Sequence, residues 1–225
     1  MALPSDGLGP FFAGETHRPG ERPRPPWRPM AELVDDDAVL GVRVESVRAV
    51  LARDHEIPVR IAASVTQLGL VARLVSLAIG LTAVTGDTPD LTLADTWWQP
   101  EVGGAFPVSL AGPRAGTLGG LLRGPVAGIG RGTQRFGVSD RIVLGNVASA
   151  INGAATVAGA PGLGRELLAD PLLRNTFTHV DGRFRRLSCC LIYQAGVAGQ
   201  PRSLCGDCVL TSRRGTAAPP SPGRA

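Results

Sequence analysis

Apolar residues recur at helical spacing in several stretches of the chain. Leu40, Val44, Val47 and Leu51 line one face of the first, while Arg43, Glu45, Arg48 and Arg53 are expected to face water. This helix should begin after Asp35-Asp36-Asp37, whose carboxylates suit the free N–H groups and the positive end of the helix dipole. Pro58 opens a second helix over 59–84. Its first half carries a polar stripe of Arg60, Ser64 and Gln67; its second half is apolar nearly all round, as a central core helix would be. A third runs from a Ser139-Asp140 cap to residue 158, with Val143, Val147, Ile151 and Ala154 on one face and small residues elsewhere that allow close helix approach. Residues 117–130 read as a Gly-rich, weaker helix, and 163–169 as a short one stopped before Pro171.

Between the second and third long helices the period changes to two. Leu91-Thr92-Leu93 and Phe106-Pro107-Val108-Ser109-Leu110 predict a small β-hairpin whose turn includes Pro100 and Gly103-Gly104. Trp97-Trp98, just past the first strand, suits either half-buried packing or the floor of a ligand pocket. The ends of the chain differ from the middle. Residues 1–30 are rich in Pro, Gly and Arg and read as an extended, loosely attached segment, pinned at most by Phe11, Phe12 and Trp27. Residues 211–225 read as a disordered tail. The resulting division is an N-terminal segment (1–30), a helical body (31–180), a Cys-rich segment (181–210) and the tail (211–225). The fold class is mainly α (α+β), with four to six helices.

Composition narrows the function classes. The chain has 225 residues, of which 44% are hydrophobic and only 4% aromatic, so a core of Ala, Val, Leu and Ile is expected and global disorder is excluded. Four Cys are too few for a disulfide-stapled scaffold of this length. All 23 basic residues are Arg, and the net charge is +4. With abundant Gly, Pro and Ala, this fits a GC-rich coding bias. No zinc-finger, RNP-like or basic-helix motif argues for nucleic acid.

The N-terminus lacks the basic start and apolar run of a secretory signal. The most apolar stretch, 61–84, carries Arg73 near its centre, where membrane insertion would cost about 2.5–3.5 kcal/mol. A buried helix with no stable membrane insertion, in a cytoplasmic protein, is therefore expected, and cytosolic thiols stay reduced.

Few other residues point to chemistry. GIGRGTQRFG (128–137) begins like a phosphate loop but has no preceding strand and no G-K-[ST]. His17, His55 and His179 are too far apart in sequence to suggest a shared metal.

All four cysteines fall within twenty residues: Cys189-Cys190, fourteen intervening residues, then Cys205-Gly206-Asp207-Cys208. A C-x-x-C turn with Gly inside points two thiolates at one metal. An adjacent pair in an extended chain points two ways, so the backbone must turn at Cys189-Cys190 for both to serve. Spacing alone leaves three readings open: a four-thiolate zinc site, a dithiol redox pair at Cys205/Cys208, and a 2Fe–2S cluster.

FRRLSCCLIYQ (184–194) followed by CGDCVL (205–210) resembles the C-terminal signature of the FhuF-like ferric iron reductases, the siderophore-iron reductases. VRIAASVTQLGLVARLVS (59–76) and LGNVASAI (144–151) resemble that family's helices more weakly and in the expected order. The spacer between the cysteine pairs is longer here than in the better-known members, which implies a bulging loop near 196–201. The resemblance implies that the Cys-rich segment is an iron–sulfur segment, in which Cys189, Cys190, Cys205 and Cys208 bind a 2Fe–2S cluster. It implies an oxidoreductase acting on metal ions, a ferric-siderophore reductase: one-electron transfer from an unknown donor to ferric siderophore iron releases the weakly held ferrous ion for iron acquisition. The alternative is a non-catalytic module, binding zinc or an iron–sulfur cluster through the four cysteines, that senses iron or docks a partner without turnover. Residues 180–214 contain six Arg against two Asp, and Arg185 and Arg186, next to the ligands, are the expected partners of the cluster's negative charge. The helical body with Trp97-Trp98 is expected to shape the docking side.

Overall fold

The computed structural model describes residues 2–3, 5, 7–52, 55–112, 114–196 and 204–210. Its centre is α3 (Val59–Thr85), preceded by α1 (Glu32–Asp35) and α2 (Asp37–Ala52). Asp36 ends α1 and caps α2: its Oδ1 accepts from the Ala38 N–H at 2.8 Å. Gly86, at φ 81°, closes α3 by donating its N–H to the Thr82 carbonyl. The face expected of α2 is buried at Leu40 and Val44 and half-buried at Val47 and Leu51. Arg43 corrects the expectation, because it is only 7% exposed. Arg53 lies outside the described residues.

Two strands lie between α3 and the later helices, but one is displaced from its predicted place. β3 is Thr96–Trp98 and β4 is Val108–Ala111, paired antiparallel with Trp97 opposite Ser109. Leu91-Thr92-Leu93 is not a strand. The Thr92 hydroxyl donates to Asp95 at 3.0 Å and accepts the Asp95 N–H at 3.1 Å, so a local turn outcompetes sheet pairing there. The sheet also has four strands rather than two, in the order β1-β4-β3-β2. β1 (Glu15–His17) runs parallel to β4, and β2 (Arg28–Pro29) pairs antiparallel with β3. Both come from the N-terminal segment, which is woven into the body rather than loosely attached.

The remaining helices are α4 (Leu118–Leu121), α5 (Ala127–Gln134), α6 (Asp140–Val157) and α7 (Pro161–Leu168). A π-helical turn, Leu122–Val126, joins α4 to α5 around Pro125, which has no N–H to give the ordinary ladder. The glycine-rich 128–137 stretch is thus mostly helix. A second, two-stranded sheet pairs β5 (Phe177–Val180) with β6 (Arg183–Arg186). The architecture is α+β.

α3 packs most extensively against α6 and next against α2. The α6 face predicted from Val143, Val147, Ile151 and Ala154 is buried throughout. α3 is long and apolar enough to cross a membrane, yet 61% of its most apolar window is buried within the protein. Arg73 explains how a charge fits there. It is 2% exposed and donates to the carbonyls of Phe106 (2.9 Å), Phe11 (2.6 Å) and Ala13. Burial pulls its pKa down to about 10, so it remains a cation near neutrality. One side chain thereby ties α3 to the N-terminal segment and to the loop before β4. Phe12 closes the same junction against Gly80, where a Cβ would lie 2.6 Å from the Phe12 ring.

His17 stacks on Trp97 with ring centroids 3.7 Å apart, and its Nδ1 meets Ser109 Oγ at 2.9 Å. Burial lowers its pKa from 6.5, opposed by the charges of Glu21 and Asp95. A lowered folded pKa means the ring stabilises the fold above its unfolded pKa and ceases to as pH falls through the folded value. The stability difference between the wild type and His17→Gln should therefore narrow below about pH 6.5, in thermal melts across pH. Replacing Arg73 by Met should cost on the order of 3 kcal/mol in chemical denaturation, since three carbonyl oxygens lose their donor, and Lys should recover only part.

Candidate metal centre

The cysteine region is built on the β5–β6 hairpin. Its turn residues, Asp181 at φ 51° and Gly182 at φ 71°, both have the left-handed geometry of a two-residue hairpin turn. The Asp-Gly dipeptide between FTHV and RFRR is the sequence signal for it, although the period-two reading above was confined to 91–110. Phe177 and Phe184 stack across the hairpin at 5.2 Å. β6 then delivers the chain directly to Cys189-Cys190.

The backbone turn that the adjacent pair requires is present. Leu191 adopts φ 69°, and a 3-10 turn, Ile192–Ala195, follows. Cys189 Sγ accepts the Leu191 N–H at 3.3 Å, and Cys190 Sγ accepts that of Ile192. The second pair sits on a tight turn in which the Cys208 N–H donates to the Cys205 carbonyl at 3.1 Å. Cys208 Sγ accepts the Leu210 N–H at 3.4 Å. Three of the four sulfurs thus take a backbone N–H from two residues onward, which stabilises negative charge on sulfur.

Three contacts hold the C-x-x-C turn in place. The Arg186 N–H donates to the Asp207 carbonyl at 3.1 Å, Arg185 Nη1 donates to the Gly206 carbonyl at 2.9 Å, and Ser149 Oγ on α6 donates to the Asp207 carboxylate. Cys190 Sγ and Cys205 Sγ lie 3.9 Å apart. A tetrahedral metal with thiolates at about 2.3 Å would set their sulfurs about 3.8 Å apart. Cys208 interacts electrostatically with both Cys189 and Cys205. All four cysteines are free thiols; Cys190 and Cys208 are buried and the other two half-buried. Among the described residues, however, no group of three or more His, Cys, Asp or Glu side chains converges closely enough to hold a metal ion as it stands. Of the four predicted ligands, the geometry thus brings the Cys190 and Cys205 sulfurs directly against each other. Residues 197–203, which include most of the expected bulging loop, lie outside the described residues, as does the 211–225 tail.

The thiols differ in proton affinity. Hydrogen bonding with Cys205 pulls Cys190 down to about 6, while the same contact and burial push Cys205 up, so the pair favours holding one proton between them. Burial raises Cys189, opposed by the Leu191 N–H and by the charge of Arg186.

Beneath the cysteines lies a polar network that sequence reading did not assemble. Ser64 Oγ on α3 donates to the Cys190 carbonyl at 2.8 Å. Asn146 Nδ2 on α6 donates to the Ser64 carbonyl at 3.1 Å and to Gln67 Oε1 at 2.7 Å. Asn146 Oδ1 accepts from Arg186 Nη2 at 2.5 Å. Ser64 and Gln67 of the polar stripe therefore form a buried shelf. Their i,i+3 spacing on one face of a largely apolar helix was the available signal.

Arg186 is 1% exposed, yet its Nε and Nη1 have no partner among the described residues, nor does the buried Ser188 Oγ. A buried guanidinium with spare donors, its charge acting on Cys189 and Cys190, suits a bound group carrying diffuse negative charge, so the residues present fit a thiolate-ligated cluster. Arg185, the other expected charge partner, instead positions Gly206. The tryptophans do not form an open docking surface: Trp97 is 7% and Trp98 1% exposed, and both are sheet residues.

No protein-family model matches the chain, and no curated protein matches it.

A Cβ at Gly145 would collide with Ser188 Oγ and stand 3.2 Å from Arg186 Nη2. Gly145→Ala should therefore displace Ser188 and Arg186 and lower the unfolding temperature while the helical circular dichroism of the folded protein persists. Thermal melts check this.

Proposed function

We propose that the chain is a 2Fe–2S protein that reduces ferric iron held by a siderophore, one electron at a time, and releases ferrous iron in the cytoplasm. The observation that carries this reading is the pairing of Cys190 and Cys205 sulfurs at 3.9 Å beside a buried arginine with unmatched donors. The resemblance of 184–194 and 205–210 to the FhuF-like reductases supplies the substrate class.

Cys189, Cys190, Cys205 and Cys208 would hold the cluster, which supplies single-electron transfer when bound. The protein's own groups have three tasks. The backbone N–H groups of Leu191, Ile192 and Leu210 stabilise thiolate charge. Arg186 adds a fixed positive charge that favours the more negative, reduced state. Asn146, Ser64 and Ser149 hold Arg186, the Cys190 carbonyl and Asp207 in place, so little of the site must reorganise with each electron. No general acid or base is required: ferric iron gains one electron from an external donor, and its oxygen ligands then hold the softer ferrous ion far more weakly.

The same sulfur spacing suits zinc in a non-catalytic module, and metal analysis separates the two. Anaerobically purified protein should be coloured and contain iron and acid-labile sulfide. After reduction by dithionite it should be reoxidised by a ferric siderophore, with ferrous iron captured by a chelator. Colourless, zinc-loaded protein overturns the cluster, and a cluster that is not reoxidised overturns the activity. Cys205→Ser should bleach the protein. Arg186→Gln should retain the colour but shift the midpoint potential to a more negative value.

A further inference from the structure

Spacing offers Cys205 and Cys208, a C-x-x-C, as the dithiol pair, but the folded chain brings a different pair into contact. Cys190 Sγ and Cys205 Sγ lie 3.9 Å apart, although fifteen positions separate them in sequence. Both are free thiols. A disulfide holds its sulfurs about 2.05 Å apart, so about 2 Å of approach completes a bond between them. Cys189 and Cys190 are poorly placed to bond each other: neighbouring Cα atoms stand about 3.8 Å apart across a trans peptide, short of the roughly 4.4–6.8 Å that disulfides span.

The contact is held from both sides. Ser64 on α3 donates to the Cys190 carbonyl at 2.8 Å. The Cys205–Cys208 turn is tied to β6 and α6 through the Arg186 N–H, the Arg185 guanidinium and the Ser149 hydroxyl. Two thiols fixed in this way meet at a high effective concentration, which favours a bond between them over bonds to thiols outside the protein.

We propose that Cys190 and Cys205 form a reversible disulfide in the metal-free protein, and that this bond blocks metal loading. The oxidant is a small disulfide of the glutathione class. One cysteine sulfur bonds a glutathione sulfur, and the other glutathione leaves as a thiolate. The second cysteine sulfur then bonds the first and expels the remaining glutathione. Two protein thiols thereby lose two electrons and two protons, and one glutathione disulfide becomes two thiols. A sulfur in a disulfide is no longer the thiolate that a metal requires, so two of the four ligands are withdrawn at once. Formation of the bond needs only the sulfur contact; its effect on loading rests on the cysteines being metal ligands, as proposed above.

The test uses the full chain, freed of metal by a chelator and equilibrated anaerobically in mixtures of reduced and oxidised glutathione, then alkylated and digested with trypsin. Arg202 lies between the two cysteine pairs, so a Cys190–Cys205 bond joins two tryptic peptides, whereas a Cys205–Cys208 or Cys189–Cys190 bond stays within one. The joined peptides should accumulate as oxidised glutathione rises and separate again on reduction. Cys189→Ser should keep the link, and Cys190→Ser and Cys205→Ser should each lose it. No bond, a bond confined to one peptide, glutathione adducts without the link, or a link that survives in Cys190→Ser would overturn the proposal. Zinc gives the second readout: the oxidised chain should bind it roughly tenfold or more weakly than the reduced chain, and equal affinity overturns the block on loading. A reduced chain that takes up neither zinc nor an iron–sulfur cluster overturns the metal-ligand reading, and the loading effect with it, while the mapped link stands on its own.

Discussion

Everything in this fold depends on α3 finding partners inside the protein for the polar side chains it carries. A helix buried along most of its length has no water to meet Ser64, Gln67 or Arg73. Each unmet group would cost about 1–3 kcal/mol, comparable with a large part of a domain's net stability. The middle of α3 and its N-terminal half resolve this differently. Arg73 draws in carbonyls from the N-terminal segment and from the approach to β4, and so fixes the sheet. Ser64 and Gln67 engage Asn146 and the Cys190 carbonyl, and so fix α6 and the cysteine region. Matching the polar groups of one helix thus joins the four-stranded sheet, α6 and the cysteine region to it.

Three buried arginines show how similar side chains take different parts. Arg73 is matched by backbone oxygens and is structural. Among the described residues Arg186 is matched at Nη2 alone, and its charge acts on Cys189 and Cys190. Arg43 rests on aromatic faces with one carbonyl and an adjoining cavity. Burial raises the energy of an unpaired cation in each case, so the three differ in how many of their donors meet an oxygen and in what stands beside the rest.

Much of the helical framework was legible from local pattern. The α2, α3 and α6 boundaries follow from Asp36, Pro58, Gly86 and Ser139 combined with apolar spacing, although the Ser139 hydroxyl makes no capping hydrogen bond among the described residues. The sheet was less legible. Leu91-Thr92-Leu93 alternates as a strand does, but the Thr92–Asp95 bonds fold it into a turn. Trp97 and Trp98 could not be placed from sequence, because a strand residue and an exposed aromatic pair look alike until the opposing strand is known. The N-terminal strands are two and three residues long, too short to carry a period, and exist because β4 and β3 offer them edges.

By itself the sequence determined the long helices, the clustering of four thiols in one short segment and the surplus of arginine around them, since these are matters of residue type and local spacing. Only the tertiary structure decided that Cys190 meets Cys205, that Ser64, Gln67 and Asn146 lie beneath them, and that Arg43 and Arg186 are buried while Arg185 is not. Those outcomes join residues that belong to different elements of the chain. Nothing in local periodicity encodes them, because they follow from the packing of helices and from the need of each enclosed polar atom for a partner.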